Sequence, residues 1–187
     1  TIAEGVGEGA ITTATTVGDV TLNASATAAS IDLGEFVAAT TVGNISFTGT
    51  GDITWDGTPA ATTVGNISGS VAVSKTVDLT AEDANSLIGA ATGTVGTTTV
   101  TGAGTFNLDF GAATTIGNID LSGMDASTSA SNITMTQNTT SGLTYTGSAG
   151  GDTFVSGAGA DTITAGLGVD TITGGDGADT IDLTEAT

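Results

Sequence analysis

Apolar and polar residues alternate in short runs along much of the chain, with the two-residue period of a half-buried β-strand. Val20 and Leu22 form one such run and Ile45 and Phe47 another, and each run follows a Gly-Asp or Gly-Asn pair. This pattern predicts short strands separated by tight turns.

A six-residue phrase precedes these runs and recurs along the chain. It reads TTVGDV at 15–20, TTVGNI at 40–45 and 62–67, and TTIGNI at 114–119. Units of about 22 to 26 residues, rich in Gly and small residues, are typical of the coils of a parallel β-helix. If the last interval holds two coils, a degenerate copy is expected near residue 88, in the run 86–89.

The turn of each copy carries Asn or Asp at the same place. Stacked coils are expected to align these side chains at one corner, each bonded to neighbouring backbone groups. A row of binding ligands is the alternative, and the structural ladder is favoured over it. The residues are Asp19, Asn44, Asn66 and Asn118. Helix signals are confined to 81–88, which is interpreted as a helical turn or a loop insertion.

A second and shorter period divides residues 147–182 into four consecutive nonapeptides. Each has Gly at position four, Asp at position six and a large apolar residue at position eight. The aspartates are Asp152, Asp161, Asp170 and Asp179, and the apolar residues are Phe154, Ile163, Ile172 and Ile181. Three columns in step across four copies indicate a built repeat rather than an acidic, Gly-rich linker.

These columns resemble the calcium-binding repeats of the RTX family, whose pattern is G-G-x-G-x-D-x-U-x with U a large apolar residue. The sequence departs from that pattern at Ser148, Ser156 and Ala165, where backbone strain is expected if φ is positive. Together with the longer repeats, the resemblance predicts an all-β chain. A Thr/Gly-rich parallel β-solenoid over residues 1–146 is expected to continue into a C-terminal RTX β-roll over residues 147–187.

The resemblance also implies how Ca²⁺ is held. Loops two repeats apart would stack about 4.8 Å from each other and hold the ion between paired aspartates and loop carbonyls. The first implied site consists of Asp152 and Asp170 with the carbonyls of Gly147, Ala149, Gly166 and Gly168. The second consists of Asp161 and Asp179 with the carbonyls of Ser156, Ala158, Gly175 and Gly177, and Asp176 is a further candidate. Because paired carboxylates repel each other, ion binding is expected to drive folding of the array.

The composition excludes several classes of chemistry. The 187 residues include no Cys and no His, and one basic residue stands against 20 carboxylates, for a net charge of −19. Without His or Cys the chain cannot form a Ser-His-Asp or Cys-His triad, or a zinc site of the usual kind. Nucleic acid and anionic membranes are poor partners for so acidic a chain, and no apolar run is long enough to span a bilayer.

In composition and repeat architecture the whole chain resembles RTX-bearing surface-layer proteins of Gram-negative bacteria. That likeness implies a secreted, non-enzymatic structural protein at the cell surface, exported by a type I system, which assembles with itself into a calcium-dependent lattice or filament. Because the sequence starts at Thr1 without Met or a cationic leader, and shows no C-terminal export signal, a fragment or processed form is expected.

Two other functions stay open at this point. One is an RTX adhesin that binds glycan, cell-surface polysaccharide or ice through threonine rows or through Trp55 or Tyr145, although a lone Trp is more often a partly buried anchor. The other is a non-catalytic module of a larger secreted enzyme, although the context of Asp52 and Asp56 does not favour a glycosidase pair. The threonine rows are Thr12/Thr13, Thr15/Thr16 and Thr97 to Thr99.

Overall fold

The computed structural model describes residues 2–3, 14–24, 31–33, 39–55, 61–79, 93–110, 113–125, 129–134 and 142–184. Regular structure in these ranges is entirely β, in strands that form three parallel sheets. The prediction of an all-β parallel solenoid is therefore confirmed. A helix able to cross a bilayer is not found in this part of the chain.

The first sheet has nine strands and runs the full length of the described structure. Its members are β1 (Ile2–Ala3), β3 (Val20–Ala24), β6 (Ile45–Gly49), β9 (Ile67–Val71), β12 (Thr98–Gly102), β15 (Ile119–Gly123), β17 (Thr144–Thr146), β19 (Thr162–Thr164) and β21 (Thr180–Asp182).

The second sheet has seven strands and the third has five. The second consists of β4 (Ile31–Leu33), β7 (Ile53–Trp55), β10 (Thr76–Leu79), β13 (Thr105–Asp109), β16 (Ala130–Thr134), β18 (Asp152–Val155) and β20 (Thr171–Thr173). The third consists of β2 (Thr16–Val17), β5 (Thr41–Val42), β8 (Thr63–Val64), β11 (Gly93–Val95) and β14 (Ala113–Ile116).

The chain visits the sheets in rotation, so each coil from β2 to β16 adds one strand to all three. After β16, the described strands alternate between the first and second sheets. The solenoid thus changes from three-sided to two-sided coils close to the predicted boundary at residue 146. The first and second sheets run through that boundary without a break, and the division into two domains stays a prediction.

In-register pairing places the same strand position of successive coils in one column of the core. Val20 pairs with Ile45, and Ile45 with Ile67, and all three side chains are buried. Larger residues fill the centre, where the rings of Phe47 and Phe106 stack with centroids 5.7 Å apart. The alternation in the sequence is therefore the inward and outward period of these strands.

The predicted ladder at the turns is present. The backbone N–H of Asn44 donates to Asp19 Oδ1 at 2.8 Å, and that of Asn66 donates to Asn44 Oδ1 at 3.0 Å. The same bond joins Thr97 N to Asn66 Oδ1 at 3.0 Å and Thr144 N to Asn118 Oδ1 at 3.2 Å. Each side chain satisfies a main-chain donor of the next coil.

The coil missing from the sequence pattern lies at 93–98, and its expected position near residue 88 was wrong. Thr97 occupies the ladder position of Asn, 31 residues after Asn66. Equal spacing failed as a guide because the connection before this coil is longer than the others. The segments 81–88 and 86–89, on which the helical turn and the degenerate copy were placed, lie outside the described residues.

We expect Asn66→Ala to lower the free energy of unfolding by about 0.5–1.5 kcal/mol, because Thr97 N–H loses its acceptor. Asn66→Asp keeps an acceptor at this position, as Asp19 does in the first copy, and should cost less. Urea unfolding of the calcium-loaded protein measures both changes. Equal losses in the two variants would contradict a structural role for the ladder.

Candidate calcium site

The four nonapeptides stack as alternate pairs. Strand β18 pairs with β20, with Phe154 opposite Ile172, and β19 pairs with β21, with Ile163 opposite Ile181. Repeats one and three are therefore neighbours along one edge of the solenoid, and repeats two and four are neighbours along the other.

This stacking brings the predicted aspartate pairs together. The backbone N–H of Asp152 donates to Asp170 Oδ1 at 2.8 Å, and the N–H of Asp161 donates to Asp179 Oδ1 at 3.1 Å. Asp170 and Asp179 thus each lie against the main chain of the aspartate in the preceding coil. The pairing of Asp152 with Asp170 and of Asp161 with Asp179 is as predicted.

Asp152 and Asp161, the aspartates of the first two repeats, are buried, with exposed fractions of 2% and 1%. Asp152 Oδ1 accepts hydrogen bonds from Ser131 N at 2.9 Å and Ser148 Oγ at 2.8 Å, and its Oδ2 accepts one from Ser148 N at 2.7 Å. Burial raises the pKa of the Asp152 carboxyl above its ordinary value, against these hydrogen bonds, which lower it. Cation binding therefore competes with protonation at this group.

Asp161 is held in a similar way on the opposite edge. Its Oδ1 accepts a hydrogen bond from Leu143 N at 2.9 Å, and its Oδ2 accepts one from Ser156 Oγ. Sequence reasoning treated Ser148 and Ser156 only as departures from the glycine pattern and missed both hydroxyl contacts. The signal that was available is a hydroxyl residue four or five positions before a repeat aspartate.

The loops of the third and fourth repeats have the backbone that the predicted carbonyl ligands require. The four glycines predicted as ligands there have φ between +81° and +134°. A Cβ on any of them would also collide with the loop of the preceding coil. At Gly177, for example, it would lie 1.7 Å from Gly159 O. These glycines are Gly166, Gly168, Gly175 and Gly177.

Comparison with known families agrees with this geometry. A family model of the RTX calcium-binding nonapeptide repeat matches residues 146–181 in four copies. Residues 146–181 are an RTX calcium-binding array. RTX nonapeptide repeats bind calcium ions, and proteins that carry them are typically secreted. No curated protein and no solved structure matches the chain.

Main-chain hydrogen bonds join the stacked loops of the RTX array. They include those from Leu167 N to Ser148 O at 3.0 Å, from Asp176 N to Gly157 O at 3.0 Å and from Gly159 N to Asp176 O at 2.9 Å. None of these three accepting carbonyls is among the carbonyls predicted to bind calcium.

Side chains alone do not supply a full calcium shell here. The described residues contain no group of three or more acidic side chains placed to hold a metal ion. Ca²⁺ needs 6 to 8 oxygen ligands, so a site built on each aspartate pair of the RTX array has to draw on loop carbonyls. The array fits calcium if loop carbonyls complete each site, and the identity of the individual ligands stays a prediction.

An open groove of about 380 Å³ borders the first pair of RTX loops. Its lining includes Gly147, Ala149 and Gly166, which are three of the residues predicted to offer carbonyls to the first site. Leu167 and Thr184 also line the groove. This part of the predicted first site is therefore open to solvent.

Ser148, Ser156 and Ala165, which depart from the glycine pattern, do not carry backbone strain. They are not among the non-glycine residues with positive φ in the described ranges, so the condition for strain is not met. A left-handed backbone is adopted instead at glycines two and four of the third and fourth repeats and at Gly159 of the second. The three substitutions therefore fall where φ is not positive.

The aromatic residues considered for ligand stacking in an adhesin are buried anchors instead. Trp55 and Tyr145 are both 0% exposed. Tyr145 stacks on Phe154 at a centroid distance of 3.9 Å and shares a 3.2 Å hydrogen bond with Ser131 Oγ. Burial raises the pKa of its hydroxyl far above the ordinary value, and the charge of Asp152 adds to this shift. Their place in the alternation, in phase with Ile53 and with Leu143, was the signal that they point inward.

Asp179→Asn should weaken calcium-induced folding, because the second site loses a charged ligand. We expect the midpoint of a calcium titration, followed by far-UV circular dichroism, to rise roughly ten- to a hundredfold. Asp120→Asn, which removes the same charge from the exposed face of β15, is the control and should leave the midpoint unchanged. Equal midpoints for the two variants would remove Asp179 from the site.

Gly177→Ala should abolish calcium-induced folding of the RTX array at millimolar calcium, because φ of +134° and contact with Gly159 O both exclude a Cβ. Gly18→Ala is the control, since a Cβ there meets nothing within 4 Å. Circular dichroism with and without chelator measures the effect. A normal calcium response in Gly177→Ala would show that this loop does not adopt the described backbone.

Proposed function

We infer that this protein is a secreted structural protein that assembles with copies of itself at the bacterial surface, as a surface layer or an extracellular filament, in a calcium-dependent way. The observation that carries this proposal is the union of a calcium-binding RTX array with a regular solenoid whose 20 carboxylates face one basic side chain. So acidic a surface favours contact with another acidic copy only when cations are present.

Exposed apolar side chains of the RTX array offer one surface for contact between copies. Along the first sheet, Tyr145 and Ile163 are 0% exposed, whereas Ile181 in the same column is 43% exposed. Leu183 follows at 66% exposed. Burial of these side chains against a second copy would favour assembly.

Charge makes such an assembly depend on cations. The chain carries a net charge of −19, and its single basic side chain, Lys75, lies 3.2 Å from Asp52 Oδ2. Copies of so acidic a protein repel each other in water. Calcium reduces this repulsion in two ways, by filling the sites of the RTX array and by screening or bridging the acidic faces.

The available side chains support a binding or structural role over catalysis. A lyase or epimerase acting on uronates would need a base and a cation, and the single basic residue, Lys75, and the single tyrosine, Tyr145, are the side chains to consider for these roles. Lys75 is paired with Asp52, and Tyr145 is buried. The RTX array itself is a structural and binding module.

An adhesin is the second candidate, and one observation favours it. Five threonines of the third sheet are aligned in register and exposed along the solenoid, forming a regular row of hydroxyl groups. They are Thr16, Thr41, Thr63, Thr94 and Thr115. Since the aromatic residues are buried, a glycan ligand would bind here through hydroxyl contacts alone. Of the rows named from sequence, Thr15 and Thr97 are exposed and Thr98 is buried, while Thr12 and Thr13 lie outside the described ranges.

Calcium added to chelated protein should first increase β-structure and then particle size, as measured by circular dichroism and light scattering in one titration. Magnesium should do neither at equal concentration, since it keeps its water shell and demands stricter geometry. Folding without any growth in particle size would contradict self-assembly and favour the adhesin.

Leu183→Asp should prevent assembly while leaving calcium-induced folding intact, because it places a charge beside the exposed Ile181 of the RTX array. Val73→Asp is the matched control, since Val73 is 69% exposed but lies in a turn outside the array. Light scattering of the calcium-loaded variants separates the two. If both variants assemble as the parent does, the contact between copies does not involve Leu183.

A further inference from the structure

The two coils of the RTX array are held in different ways. The first coil, residues 147–164, contains Asp152 and Asp161, and the second coil, residues 165–182, contains Asp170 and Asp179. In the first coil each carboxylate accepts a hydrogen bond from a serine hydroxyl of its own repeat, Ser148 or Ser156. Each also accepts one from a main-chain N–H of the preceding coil. These contacts fix both side chains within the protein itself.

The second coil has no equivalent of the serine contacts. Positions one and two of the third repeat are Ala165 and Gly166, and those of the fourth are Gly174 and Gly175, none of which carries a hydroxyl. Asp170 and Asp179 accept hydrogen bonds from the main chain of the first coil and are partly exposed. Their carboxylates therefore stay in contact with water.

We propose that Ser148 and Ser156 are positioning residues that hold Asp152 and Asp161 in place independently of calcium, so that the first coil is a preformed platform and the second coil folds onto it when calcium binds. The platform is continuous with the three-sided solenoid through the pairing of β18 with β16 and of β19 with β17. Calcium then has to order one coil rather than two, with half of each site already in position.

Hydrogen exchange read by mass spectrometry tests this proposal on the full chain. In chelator, amides of 147–164 should exchange at least about tenfold more slowly than those of 165–182, and calcium should slow exchange chiefly in 165–182. Equal exchange in the two segments, whether both open or both protected, would overturn the proposal.

The serine contacts are tested by the double variant Ser148→Ala and Ser156→Ala. We expect protection of 147–164 in chelator to be lost, the calcium midpoint to rise roughly tenfold, and folding to become more cooperative in calcium, because both coils now order together. At saturating calcium the exchange pattern should match that of the parent protein.

Ser122→Ala is the matched control, because Ser122 Oγ donates to Asp120 Oδ1 at 2.6 Å outside the array. This variant should leave both the protection and the calcium midpoint unchanged. If the double variant behaves like the control, the serines do not position the aspartates. The comparison of segments in the parent protein decides the question even if the double variant fails to fold. None of these readouts depends on assembly, so the proposal can stand or fall apart from the function inferred above.

Discussion

Parallel hydrogen bonding between successive coils is the constraint on which the rest of this structure depends. Each coil obtains its main-chain hydrogen bonds from the coils before and after it, as where β6 pairs with β3 on one side and β9 on the other. Such bonding fixes the register, and the register places like residues in like positions. The apolar columns, the asparagine ladder and the aspartate pairs all follow from it.

The same constraint explains why metal serves the two-sided part of the solenoid. Three-sided coils enclose a core broad enough for Trp55 and for the stacked rings of Phe47 and Phe106. Each nine-residue repeat of the two-sided coils offers one large apolar side chain to the core. The stabilisation that this packing does not supply is available from calcium, which RTX nonapeptide repeats bind.

The sequence predicted those features that depend on an unbroken period. The nonapeptides repeat without insertion, so the partners of Asp152 and Asp161 could be assigned by counting. The longer coils vary in length, and the copy containing Thr97 lacks both the Asn and the apolar residue of the phrase, so counting placed it wrongly. The serine contacts depend on side-chain direction within a loop, which a pattern of residue types does not contain. The burial of Trp55 and Tyr145 follows from their phase in the alternation, in step with Ile53 and with Leu143.

An anomalous diffraction map of the calcium-loaded protein would test the central claim most directly, because it locates bound calcium ions without reference to any folding signal. The account predicts one peak between the loops of Asp152 and Asp170 and another between those of Asp161 and Asp179, on opposite edges of the solenoid. Full calcium loading with no peak between either pair of loops would contradict it.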